Sequence, residues 1–210
     1  MDYYRPNLDE IVGQDRIVRY MRNLAANPRQ EALLFLGQPG IGKTVTAHAF
    51  ADIVAGTTEF EGHWTVPCTE LGVSDAKRLF SETMRLRFNA AKRFNVLILE
   101  EMELLSPQCQ GYMKAAIDKS GDIFPKHLIV IATSNSVKNI ADAVLERFKT
   151  FTFDHSGDFY KACRQRIASI WSTRTSEPIP PSWTKWGVDG KRFSMRQALS
   201  ELEIELELVS

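Results

Sequence analysis

Four short apolar runs punctuate the chain: ALLFL (32–36), WTVPCT (64–69), NVLILEE (95–101) and HLIVIATSN (127–135). The runs at 95–101 and 127–135 are apolar almost without interruption and finish in polar residues. That is the pattern of strands buried on both faces, whose polar ends emerge at the carboxyl edge of a sheet. The run at 64–69 is weakened as a strand by Pro67, which has no N–H to give to a ladder. Between the runs the spacing turns helical. TVTAHAFADIVAG (44–56) predicts a helix closed by Gly56. A long helical pattern covers 74–94, with Ser74 or Asp75 at its N-cap, and PQCQGYMKAAIDKS (107–120) predicts a helix with Pro107 at its first position.

Strands alternating with helices require crossover connections, hence an α/β fold with a parallel sheet and helices on both faces. After TFTFD (150–154) the pattern changes. A helix is predicted over 159–172, followed by a Pro-, Trp- and Gly-rich stretch and the tail SMRQALSELEIELELVS. The tail reads as helix, although the alternation in ELEIELELV also fits an edge strand. The expected division is an α/β core over 1–155 and a small helical unit over 156–210.

Composition narrows the class. The 210 residues are 44% hydrophobic and 25% charged, the profile of a globular protein with a sizeable core. Lys plus Arg and Asp plus Glu both number 26, so net charge by itself marks neither a nucleic-acid binder nor a membrane-surface protein. The three cysteines are far apart and show no CxxC spacing, which fits reduced thiols in a reducing compartment. No apolar run approaches the length of a membrane span, and MDYYRPNLDEIVGQD lacks the apolar core of a signal peptide, so a cytoplasmic location without a membrane partner is expected.

The chemistry concentrates where the strands end. Gly37-Gln38-Pro39-Gly40-Ile41-Gly42-Lys43-Thr44 matches GxxxxGK[ST] in full and sits between a strand and a helix. Glycines let backbone N–H groups converge on phosphate oxygens, and the helix that follows the loop aims its N-terminus at the same anion. Lys43 is expected at the β- and γ-phosphates and Thr44 on Mg²⁺, so the predicted ligand is ATP with magnesium. Glu100 and Glu101 close the buried strand 95–101; Glu100 is expected to hold the magnesium, partly through water, and Glu101 to orient the attacking water. Asn135, at the end of the next apolar run, is expected to hydrogen-bond the γ-phosphate or that water. In an open α/β sheet all of these belong at one carboxyl edge.

With these pieces assembled, the sequence resembles an AAA+ ATPase, and within that class the clamp-loader group of replication factor C small subunits and bacterial DNA polymerase III loader subunits. Tyr4-Arg5-Pro6, followed by Ile11-Val12-Gly13-Gln14, is similar to that group's "YRP…VGQ" opening, which implies packing around the adenine. SPQCQGYMKAAID resembles its "LTPDAQ" helix. LERFKTFTF resembles its "SRC…F" segment and implies that Arg147 is an arginine finger for a neighbouring subunit. FSMRQAL resembles its "GxxRxAL" lid motif and implies that Arg196 touches the nucleotide from a helical lid on a RecA-like core. There are departures: Glu100 stands where the group usually has Asp, Glu-Arg-Phe replaces Ser-Arg-Cys, and no zinc-type cysteine cluster is present. Residues 1–210 read as core and lid without the helical collar domain of clamp-loader subunits.

The resemblance implies rings of self or homologous subunits, DNA recognised without regard to sequence, and a sliding clamp or other replication protein as partner. KRLFSETMRLRFNAAKRF (77–94) carries Arg78, Arg85 and Arg87, with Arg78 and Arg85 seven apart on one helical face; they are the candidate DNA contacts, or equally a solvated helix face. Trp171, Trp183 and Trp186 fit the internal packing of a small unit better than a partner surface. The expected function is ATP hydrolysis driving a DNA-linked remodelling step, most of all clamp loading. The alternatives are a nucleotide-gated switch with little turnover, or an ATPase for another client, such as a helicase loader, a branch-migration motor or a transposition regulator.

Overall fold

The computed structural model describes residues 7–57, 62–85, 94–155, 159–185 and 194–209. Five strands form one sheet: β1 (Glu31–Leu36), β2 (His63–Pro67), β3 (Asn95–Glu100), β4 (Leu128–Ser134) and β5 (Lys149–Thr152). Their order is β2-β3-β4-β1-β5, and every pairing is parallel. β2 lies at an edge, where the missing N–H of Pro67 costs no ladder bond on its open side. The ends of β1 and β4 are in register, Leu36 opposite Ser134, so the loops that follow them leave the sheet side by side.

Strand alternation sorts the apolar side chains into two layers. Leu33, Phe35, Val96, Ile98, Ile129 and Ile131 face α1 (Asp15–Ala26) and α2 (Lys43–Val54). Ala32, Leu34, Leu97, Leu99, Val130 and Ala132 face α3 (Val73–Arg85), α4 (Pro107–Ala116) and the short α5 (Asp142–Leu145). Each fully buried Leu, Ile, Val or Phe is worth about 1.5–3 kcal/mol in transfer free energy, so runs apolar on both faces settle in the centre of the sheet.

Two longer helices follow β5, α6 (Phe159–Arg174) and α7 (Met195–Leu208). Phe159, Cys163, Ile167, Ile170 and Trp171 make a helical stripe that joins the α1/α2 side of the core, together with Ala198, Leu199 and Leu202 of α7. That 198, 199, 202 spacing makes the tail a helix rather than an edge strand, and Ser194 caps it by accepting from the Gln197 N–H at 3.2 Å. Trp171 and Trp183 are buried and meet edge to face at 5.2 Å, and the Trp171 indole donates to the Glu177 carbonyl. Trp186 lies outside the described residues.

Several expected boundaries move. α3 starts at Val73, which puts Ser74 and Asp75 inside the first turn rather than at the cap; Asp75 sits there as an acid at the positive end of the helix. The predicted continuation of that helix over 86–93 lies outside the described residues. α4 ends at Ala116, short of the expected 120, because the Asp118 side chain accepts from both the N–H and the hydroxyl of Ser120 and offers the backbone a competing turn. All three cysteines are free and buried.

Candidate functional site

β1 delivers the chain into the loop Gly37–Gly42, and Lys43 opens α2. Gly40 and Gly42 take φ of +75° and +101°, a region that a side chain makes costly. At Gly42 an added Cβ would meet nothing within 4 Å, so the loop backbone faces open space of the kind an anion needs. At Gly40 the same atom would lie 2.6 Å from Ser194 Cβ, so the loop and the start of α7 are in direct contact.

A cavity of about 250 Å³ opens over this loop. It is lined by Pro39 to Val45, by Glu101, Thr133, Ser134 and Asn135 from the ends of β3 and β4, and by Ile11 and Val12 from the opening segment. Arg196 and Leu199 of α7 and Phe159 and Arg166 of α6 close the other side. Its apolar part, made by Ile11, Val12, Ile41, Phe159 and Leu199, suits a planar ring, and its polar part suits phosphates. Tyr4, Arg5 and Pro6 lie outside the described residues. The opening segment is tied in twice: Gln14 Nε2 donates to the Asp154 carbonyl at 3.0 Å, and Arg166 Nη2 donates to Glu10 Oε1 at 2.5 Å.

Lys43 is buried, and its ammonium donates to the Gly37 carbonyl at 2.7 Å, the Gln38 carbonyl at 3.0 Å and Asn135 Oδ1 at 2.9 Å. Its donor capacity of three is full, so an incoming phosphate must take over one or more of these positions. Burial pulls its pKa down to about 8, against the opposing charges of Glu103 and Glu101. Lys43 therefore remains mostly charged at neutral pH.

Glu100 ends β3 with the strand parity of Val96 and Ile98, which places it on the α2 side of the sheet, where Thr44 stands in the first turn of α2. Burial, and then the charge of Glu101, push its carboxyl above the ordinary range. Glu101 leaves the strand at φ 57°, the one non-glycine residue with positive φ among the described residues, and its backbone N–H lies 3.4 Å from Thr133 Oγ1. Such strain, of the order of 1–3 kcal/mol, gathers at functional sites, and here it turns the second acid out of the sheet and into the cavity wall. Among the described residues no cluster of three or more His, Cys, Asp or Glu side chains could hold a metal.

The other expected residues fall elsewhere. Arg147 precedes β5 and therefore stands at the amino edge of the sheet, away from Lys43. Its Nη2 and Nε donate to Asp118 Oδ2 at 2.9 and 3.2 Å, and its Nη1 to the Ala143 carbonyl. Beside it, Glu31 is buried and accepts from Arg29, Lys119 and Lys149. Arg78 is exposed within 4 Å of Asp75 and Glu82 of its own helix. The side chain of Arg85 and all of Arg87 lie outside the described residues. No described helix is long and apolar enough to cross a membrane.

Sequence reasoning passed over Glu103. Its carboxylate accepts from Ser134 Oγ at 2.6 Å and from the backbone N–H and side-chain Nδ2 of Asn135 at 3.1 and 2.8 Å. The signal was a third acid close behind two others in LEEMEL, hidden because it follows the strand rather than ending it.

A parallel sheet whose carboxyl edge carries a glycine-rich phosphate loop, a terminal acid pair and a polar strand end defines a P-loop nucleotide-binding protein. Residues 33–154 match the profile of the ATPase family associated with various cellular activities (AAA), and the chain belongs to that family. Among its relatives, the replication factor C small subunit of Methanosarcina barkeri is 26% identical over 178 residues, covering 81% of this chain and 50% of that protein. Replication factor C subunit 3 of Saccharomyces cerevisiae is 24% identical over 213 residues, covering 97% of this chain and 58% of the relative. The chain thus spans about half the length of the curated relatives it matches. In fold it is similar to the Thermotoga maritima RuvB Holliday junction branch migration motor, with TM-score 0.61 and 19% identity over 81% of this chain and 56% of that one. It is likewise similar to a DNA polymerase III gamma subunit-related protein of the same organism, with TM-score 0.61 and 8% identity over 89% and 57%.

Proposed function

We propose that the chain binds ATP with magnesium in this cavity and hydrolyses it, residues 156–210 acting as a helical lid over a nucleotide-binding core of residues 1–155. The observation that carries this reading is the meeting of Lys43, Glu101, Asn135 and Arg196 around one cavity from four separate segments. The loop amides of Gly37 to Thr44 and the Lys43 ammonium hold phosphate oxygens. Thr44 and Glu100 are the residues for the metal, which would neutralise charge on the transferring phosphoryl group. Glu101 orients water, Asn135 Oδ1 accepts a hydrogen bond from Lys43 or from that water at the same end, and Arg196 brings positive charge from α7. The base lies against Ile11, Val12, Phe159 and Leu199.

Arg147 stands at the opposite edge from its own cavity, so as an arginine finger it would serve the nucleotide of an adjacent subunit. The likeness to replication factor C subunits supports a ring of AAA+ subunits that couples hydrolysis to a DNA-linked step, with sliding-clamp loading the foremost form. Arg78, Arg85 and Arg87 are the proposed phosphate contacts, which would make DNA binding sequence-independent and salt-sensitive. A reducing, cytoplasmic setting accords with three buried free thiols.

Phosphate release and sedimentation, each measured with and without primed DNA, test the reading. ATPase activity that rises with protein concentration and with DNA, and that is lost in Glu101→Gln, is the expected result. A rate and mass indifferent to both would remove the assembly model. One observation favours a second reading, a nucleotide-gated switch: Glu100 is a longer acid than the usual Asp and is held toward its protonated form. In that case nucleotide binds and subunits assemble, but wild-type turnover is absent from the start.

A further inference from the structure

An asparagine amide has one donating end and one accepting end, and its neighbours decide which faces where. Asn135 lies between Glu103 and Lys43. Glu103 sits on a 3-10 turn, Met102–Leu104, anchored by the fully buried Met102 and by the Leu104 N–H bond to the Glu101 carbonyl at 2.8 Å. From there its Oε1 accepts from the Asn135 backbone N–H and from Nδ2, while its Oε2 accepts from Ser134 Oγ. On the far side Asn135 Oδ1 accepts from the Lys43 ammonium at 2.9 Å. An ionised carboxylate can only accept and an ammonium can only donate, so a single orientation of the amide satisfies both neighbours.

We propose that Glu103 is a positioning residue: its carboxylate clamps the Asn135 side chain so that Oδ1 points at Lys43 and the phosphate end of the cavity. The consequence for turnover rests on the ATPase reading above; the orientation itself does not. Burial would raise the Glu103 carboxyl, but hydrogen bonds from Ser134 and Asn135 hold it below the ordinary range, so the clamp is an acceptor at neutral pH. Without it the amide is free to turn its NH₂ toward Lys43, setting donor against donor.

The test uses the full chain labelled with ¹⁵N, with the Asn135 side-chain NH₂ pair assigned from its loss in Asn135→Ala. Glu103→Ala is expected to move this pair, whereas Glu103→Gln, which keeps an oxygen for Nδ2, leaves it near its original place. In phosphate release, Glu103→Ala is expected to lower kcat about tenfold or more with nucleotide Kd changed less than about threefold, and Glu103→Gln to recover most of the loss. A Glu103→Ala/Asn135→Ala double variant is expected to be no slower than Asn135→Ala alone, because both changes remove one device. An unmoved NH₂ pair in Glu103→Ala, or losses in kcat that add, overturns the proposal. If the wild type turns over no ATP, the hydrolysis reading falls and the NH₂ pair alone decides this one. If Glu103→Ala does not fold, Glu103→Met removes the acceptor while keeping the volume, and the same readouts apply.

Discussion

Lys43 shows what a single side chain is asked to do here. Its ammonium is taken out of water and given three protein oxygens, two of them backbone carbonyls of the loop that it is expected to help cradle the phosphate. Charge-assisted bonds of this kind are worth about 1.5–3 kcal/mol each, so Lys43→Ala should weaken ATP binding by about two orders of magnitude, as titration calorimetry would register. Asp118 is the other residue whose environment makes a direct prediction. Hydrogen bonds from the Ser120 side chain and backbone, and then from Arg147, draw its pKa from an ordinary 3.8 to about 2. A carboxyl depressed in the folded state adds stability above its unfolded pKa and loses it as the pH falls through the folded one. The stability advantage of the wild type over Asp118→Asn should therefore be full above pH 4 and vanish toward pH 2. Urea midpoints across that range check this.

At the scale of elements, the phosphate loop and α7 depend on each other. Gly40 has both a left-handed backbone and a neighbour, Ser194, where a Cβ would fall. Gly40→Ala is expected to destabilise the fold by about 1–3 kcal/mol through strain and to displace the start of α7, carrying Arg196 with it. Denaturant midpoints should fall and ATP affinity with them; an unchanged midpoint would mean that the loop and α7 move independently. Within α7, helical spacing of Ala198, Leu199 and Leu202 prevailed over the alternation of Glu and Leu, because burial against α6 rewards a stripe on one face. α4 ran the other way. Its pattern continued to 120, yet an aspartate able to hydrogen-bond its own following backbone stopped the helix early.

At the scale of the whole molecule, the common direction of the parallel strands puts the proposed finger, ahead of β5, and the proposed nucleotide site, after β1, β3 and β4, at opposite edges of the sheet. Such a chain cannot complete its own site with Arg147. Turnover per chain should rise with protein concentration and fall about 10³-fold or more in Arg147→Ala, while ATP binding by the separated chain stays unchanged. A mixture of Arg147→Ala with Glu101→Gln chains should recover some activity, since each supplies what the other lacks. Recovery absent at all ratios would exclude a shared site.

β1, β3 and β4 were legible because a strand buried on both faces must be apolar along its length, and the phosphate loop because few other residues tolerate that backbone; β5, with Lys149 and Thr150 exposed, carries no such run and was not foreseen. The acid pair and Asn135 followed from the rule that ligands gather at the carboxyl edge of a parallel sheet. Local sequence carries such information because backbone conformation and burial are settled within a few residues. Everything that joins distant segments was decided by the tertiary structure. The clamp of Glu103 on Asn135 spans 32 residues, Arg166 meets Glu10 across 156, and Arg147 finds Asp118 across 29. No periodicity encodes these meetings. They arise because β4 lies between β1 and β3, and because α6 and α7 fold back onto the layer that holds the loop.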